Sequence, residues 1–156
     1  MKDSYSIMKK LVKNFEEVLC SFFLVTMVFI VIANVFSRYL FDSPIYWAEE
    51  VATISFVWLV FVGASAVYKN KMDIGIDVII KKLPHKLQSK LVFLVYLLLL
   101  GINGSIFYLS IIFTKSSLLK PMPVLGISSA VVNLALVVGF GLITFHTLRF
   151  IKQGGK

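Results

Sequence analysis

Val18-Leu19-Cys20-Ser21-Phe22-Phe23-Leu24-Val25-Thr26-Met27-Val28-Phe29-Ile30-Val31-Ile32-Ala33-Asn34-Val35-Phe36-Ser37 contains no acidic or basic side chain and is built mainly from Leu, Val, Ile, Phe and Met. At about 1.5 Å rise per residue, a helix of this length crosses about 30 Å, the hydrocarbon thickness of a bilayer. Lipid offers no partner to a free N–H or C=O, so such a segment must satisfy its backbone internally, as a helix. Working outward, residues 51–68, 91–114 and 124–148 repeat the pattern. The expectation is an all-α integral membrane protein, a single four-helix membrane domain over residues 1–156 with four transmembrane helices.

The totals agree with a bilayer rather than with a water-soluble core. Of 156 residues, 58% are hydrophobic, 14% aromatic and only 15% charged, more apolar than a soluble domain needs. The charges are zoned between the apolar runs, because an ion at the hydrocarbon midplane costs roughly 2.5–3.5 kcal/mol even on lenient scales. A net charge of +8 would otherwise suggest nucleic acid. No basic stripe is interleaved with stacking aromatics, so the charge reads as orientation and contact with anionic membrane lipids, with no nucleic acid as partner.

The positive charges also choose a side. The N-terminal arm, residues 69–90 and the C-terminal tail together hold Lys2, Lys9, Lys10, Lys13, Lys69, Lys71, Lys81, Lys82, Lys86, Lys90, Arg149, Lys152 and Lys156, whereas the opposite face has Arg38, Lys115 and Lys120. Both termini are therefore expected to be cytoplasmic. The basic start suits a signal peptide, but the apolar run exceeds the usual length and lacks a small-x-small exit, so a retained first span is expected. Glu16 and Glu17 stand at its head, where the helix dipole favours a carboxylate that can still reach water. Between the second and third spans, Ile76, Ile79, Ile80 and Leu83 share a helical face and Asp77, Lys81 and Lys82 project elsewhere. This predicts an amphipathic interfacial segment ending before Pro84, although its alternation also suits a short strand.

The one polar knot of consequence is residues 34–50. Asn34 and Arg38 lie one helical turn apart and share a face, and Glu49 and Glu50 return to the same level through a loop containing Pro44. Two readings stand side by side. Arg38 pairs with a carboxylate and fixes the first two helices, or it snorkels to head groups while Tyr39, Phe41, Tyr46 and Trp47 form an aromatic belt. Adjacent Glu49 and Glu50 point about 100° apart on a helix, so both cannot face Arg38 and one is free for a partner. Small residues, Gly63 to Ala66, Gly101, Ser105, Ala135, Gly139 and Gly141, offer close helix approach, and Asn34, Asn103 and Asn133 offer interhelical hydrogen bonds worth about 1 kcal/mol each.

The sequence assembles no active site: no Ser-His-acid set, no paired metal ligands, no phosphate loop. Cys20 is the lone cysteine, and His85 lies in a basic loop away from His146, which argues against haem. The expectation is a protein that is not an enzyme and carries no cofactor. Its spans are free of ionisable groups through their middle, unlike transporters that work alone.

Asn34-x-x-x-Arg38-Tyr39-x-Phe41, then Trp47-x-Glu49-Glu50, then Trp58-x-x-Phe61-x-Gly63-Ala64 resembles the signature of the DctQ-like small membrane subunit of tripartite ATP-independent periplasmic (TRAP) transporters. Asp73-Ile74-x-Ile76-Asp77 resembles the family's segment after the second span, which often begins with histidine; Asp73 stands there instead. The resemblance implies a scaffold subunit in the bacterial inner membrane. It also implies two partners: a large multi-spanning permease subunit carrying the substrate and sodium sites, and a periplasmic solute-binding protein. The cargo would be an organic acid such as sialic acid or a C4-dicarboxylate. By the same analogy Arg38, Glu49 and Glu50 would order the outer corner or meet a partner. The competing class is a self-assembling small multidrug-type exporter or channel, which generally needs a carboxylate within a span.

Overall fold

The computed structural model describes residues 14–70 and 85–152. It is helical, with α1 at Phe15–Leu40, α2 at Ala48–Lys69, α3 at His85–Ser116 and α4 at Ala130–Lys152. Each is long and apolar enough to cross a membrane, as the four uncharged runs require. The amphipathic stretch at 76–83, with Asp77, lies outside the described residues.

The helices do not close into a bundle. Helix α1 packs on α2, α2 on α4, and α4 on α3; among the described residues no other pair of helix backbones comes together. The order is thus α1–α2–α4–α3, an open row with α1 and α3 at its edges. Such a row leaves most large apolar side chains outside, and Phe22, Phe29, Phe36, Leu97, Ile102 and Phe113 are all exposed. In water that surface would aggregate, whereas in lipid it is solvated as well as it would be by another helix.

Several of the buried positions are small. On the inner pair, α2 buries Ala48, Ser55, Ser65 and Ala66 and α4 buries Ala130, Ala135 and Thr147, residue types that let backbones approach where apolar burial drives nothing. Closest of all is Gly139, where an added Cβ would come within 2.8 Å of both the Cβ and the carbonyl oxygen of Phe61. Of the other small residues, Gly101 faces open space and Gly141 sits under the ring of Phe107. Asn103 donates to Leu99 O of its own helix at 2.9 Å, so it ties nothing to a neighbour through that bond.

Each hairpin turns by local chemistry. Helix α1 ends where Asp42 takes a left-handed φ of 50°, a conformation that short polar side chains tolerate. Ser37 Oγ donates to Ser43 O at 2.6 Å, and Asn34 Oδ1 accepts from Ile45 N at 2.9 Å. The second turn is larger than the expected start of a span at 124 allows. Residues 121–129 instead form a small hairpin loop, with an antiparallel bridge between Pro121 and Ser128 and Met122 N donating to Ile127 O at 2.7 Å. Gly126 at φ 67° makes its bend, a backbone that glycine adopts without steric cost. Helix α4 begins only at Ala130, whose N–H donates to Ser128 Oγ.

Candidate functional site

The alternation of the helices gathers polar side chains at the two ends of the row. One end carries the turns of 41–47 and 117–129; the other carries the start of α1 and the ends of α2 and α4.

At the turn end, the residues singled out from sequence separate into three groups. Glu50, in the first turn of α2, reaches across to the second hairpin, where its two carboxylate oxygens accept from Val124 N at 2.9 Å and Leu125 N at 2.8 Å. This is a charge-assisted, two-pronged clasp from a carboxylate to consecutive backbone amides. Trp58 adds a second tie along the same seam, its Nε1–H donating to Val131 O at 3.1 Å while its ring stacks on Phe23 of α1 at 5.6 Å. Asn34 holds the first turn, and Gly63 lies opposite Cys20 of α1. These side chains brace helices α1, α2 and α4 against one another.

A second group points outward. Arg38, Tyr39, Phe41, Tyr46 and Trp47 are all exposed. Arg38 forms no ion pair among the described residues, and the carboxylate of Glu50 is engaged elsewhere, so the internal Arg38 bridge is not formed here. Glu49 makes the third group: its side chain is exposed and lies on a groove of about 400 Å³ between α1 and α2, walled mainly by Met27, Val31, Val35, Ala52 and Phe56. Asp77 falls outside the described residues.

The opposite end holds a cluster that the sequence reading did not assemble. Glu16, expected to reach water, is only 7% exposed. Its Oε1 lies 2.9 Å from His146 Nε2, and its Oε2 accepts from Ser65 Oγ at 3.0 Å. A single carboxylate thus links α1 to α2 and α4, although the backbones of α1 and α4 do not meet. Beside it, Glu17 pairs with Lys69 at 2.9 Å and accepts from Asn70 Nδ2 at 3.1 Å. Tyr68 and Thr147 share a hydrogen bond at 2.8 Å. A signal for this cluster was present: a carboxylate and an imidazole inside apolar runs demand partners, and four alternating spans put the start of the first and the end of the fourth at one level.

Among the described residues no three His, Cys, Asp or Glu side chains stand together as a metal site, and Glu16, Glu17, Glu50 and Trp58 serve as ties between segments.

The family model described as "Tripartite ATP-independent periplasmic transporters, DctQ component" matches residues 27–154. The chain is 42% identical over 76 residues to the C4-dicarboxylate TRAP transporter small permease protein DctQ of Vibrio cholerae, covering 49% of this chain and 33% of that protein. It is 26% identical over 145 residues to the sialic acid TRAP transporter small permease protein SiaQ of the same organism, covering 93% and 84%. It also matches the isethionate TRAP transporter permease protein DctMQ of Oleidesulfovibrio alaskensis, 28% identical over 105 residues, 66% of this chain but 16% of that protein. The chain thus spans about a third of the first relative, most of the second and a small part of the third. Because the family match takes in most of the chain, including the turn end and all or part of every described helix, the protein belongs to the DctQ component family of TRAP transporters.

Proposed function

We propose that this chain is the small, non-catalytic scaffold subunit of a TRAP-type secondary transporter in a bacterial inner membrane. It supports sodium-coupled uptake of an organic acid by a large permease subunit served by a periplasmic solute-binding protein. The sialic acid and C4-dicarboxylate transporters among its relatives suggest the cargo class. The observation that carries the reading is the open row itself: polar side chains are spent on tying α1, α2 and α4 together at their ends, while long apolar flanks remain for lipid or a larger membrane protein. A match to a small part of a longer permease polypeptide supports a partner of that kind. The excess of Lys and Arg on the terminal side supports cytoplasmic termini.

The test is to express the chain with and without a large permease from the same genome. Co-purification in mild detergent, and uptake into liposomes only when both are present with the binding protein and a sodium gradient, are the expected results. Sodium-driven uptake by this chain alone would refute the scaffold role.

A further inference from the structure

Of the two neighbouring carboxylates at the head of α2, Glu50 is consumed within the chain and Glu49 is not. Glu50 gives both oxygens to the 121–129 loop. At Glu49 only the backbone carbonyl is engaged, accepting from Thr53 Oγ1 at 2.8 Å; its side chain makes no ion pair or hydrogen bond among the described residues. Glu49 is also one of the residues lining the mainly apolar groove between α1 and α2.

The volume and the charge together restrict what fits. A groove of about 400 Å³ between two spanning helices has room for side chains presented by a neighbouring helix. Anything that fills it also strips water from Glu49, and a carboxylate desolvated without a counter-charge is strongly disfavoured. An occupant made only of Leu, Val and Phe would match the walls and strand the charge. One carrying a cation on an aliphatic stem matches both, since its methylenes lie along Met27, Val31 and Phe56 while its head meets the carboxylate.

We infer that the groove between α1 and α2 seats one lysine or arginine side chain from a spanning helix of the large permease subunit, with Glu49 as its counter-ion. This rests on the scaffold reading above and names the contact through which it operates. Glu49 is then a docking residue, and Glu50 the residue that fixes the α2 end from which it projects.

The experiment uses the co-expressed complex, with the photoreactive p-benzoylphenylalanine in place of Phe56 on the groove wall or, as control, of Phe29, which is exposed on α1 and does not line the groove. Illumination is expected to join the Phe56 position to a spanning segment of the permease that has a Lys or Arg within one turn of the adduct. Glu49→Lys is expected to cut the co-purified permease at least tenfold and Glu49→Gln less, with recovery when the mapped basic residue is changed to Glu in the Glu49→Lys background. Adducts only with lipid or with a second copy of this chain, a mapped segment lacking a basic residue, or absence of rescue by the charge exchange would each overturn the proposal. If the unmodified permease does not co-purify at all, it is the scaffold reading that fails.

Discussion

Replacing Gly139 with alanine tests the α2–α4 seam with the smallest available change. The new Cβ would lie 2.8 Å from Phe61 Cβ and 2.8 Å from Phe61 O, against the roughly 3.5–4.0 Å that carbon atoms prefer. The obstruction includes backbone, which cannot rotate away, so the helices must separate by roughly 0.7–1.2 Å. A rigid separation of that size lengthens the 2.8 Å Tyr68–Thr147 bond to about 3.5 Å or more, beyond useful hydrogen-bond geometry. Overpacking of this kind costs about 1–3 kcal/mol. Gly101→Ala is the matched control, because nothing lies within 4 Å of a Cβ there. The backbone-entropy gain of Gly to Ala, roughly 0.5–1 kcal/mol in a helix, is common to both variants and cancels in the comparison. In reversible unfolding by SDS titration of mixed micelles, Gly139→Ala should therefore fall below Gly101→Ala by about 1–3 kcal/mol. Equal stability of the two variants would refute the claim that backbone contact at Gly139 sets the spacing of the inner helices.

Three further outcomes follow from the polar ties. Glu50→Ala removes the acceptor of Val124 N and Leu125 N, and hydrogen bonds to a charged group are worth about 1.5–3 kcal/mol. Amide exchange at those two positions should accelerate roughly 10- to 100-fold, and unchanged protection would show that the clasp does not hold the loop. His146→Ala removes the imidazole from the buried Glu16, and losing a partner of a buried hydrogen-bonding group is expected to cost about 1–3 kcal/mol; a double-mutant cycle with Glu16→Gln should recover a large part of it, and strict additivity would deny the coupling. Arg38→Ala should leave the isolated chain's unfolding within about 0.5 kcal/mol of the parent, since Arg38 has no ion-pair partner among the described residues. A larger loss would reinstate the internal Arg38 bridge.

The helices were legible because lipid punishes any other use of an uncharged run of twenty residues, and periodicity is not even needed to see it. Which helices touch was not. Gly101 and Gly139 look alike in sequence, yet one faces open space and the other lies against Phe61, because the spatial order α1–α2–α4–α3 is a long-range outcome. The same gap hid Glu16, whose partners Ser65 and His146 stand 49 and 130 residues away. The helical angle between Glu49 and Glu50 says only that both cannot face Arg38. That Glu50 instead clasps Val124 N and Leu125 N depends on the loop at 121–129, 74 and 75 residues away, whose backbone amides have no helix to join. The start of α4 was misplaced for a related reason, since Val124 and Leu125 are apolar enough for a span but their N–H groups belong to Glu50.

The order of the row also constrains how the chain can be assembled as it leaves the ribosome. The first two helices can meet as soon as both are in the bilayer, but among the described residues the third has no backbone contact with either, and packs on the helix made last. That final segment must enter between two waiting pieces, and it brings the imidazole that the very first turn of α1 has been lacking. Completion is therefore an event of the finished polypeptide, and in a product truncated before residue 146 the Glu16 carboxylate keeps Ser65 but has no imidazole to meet.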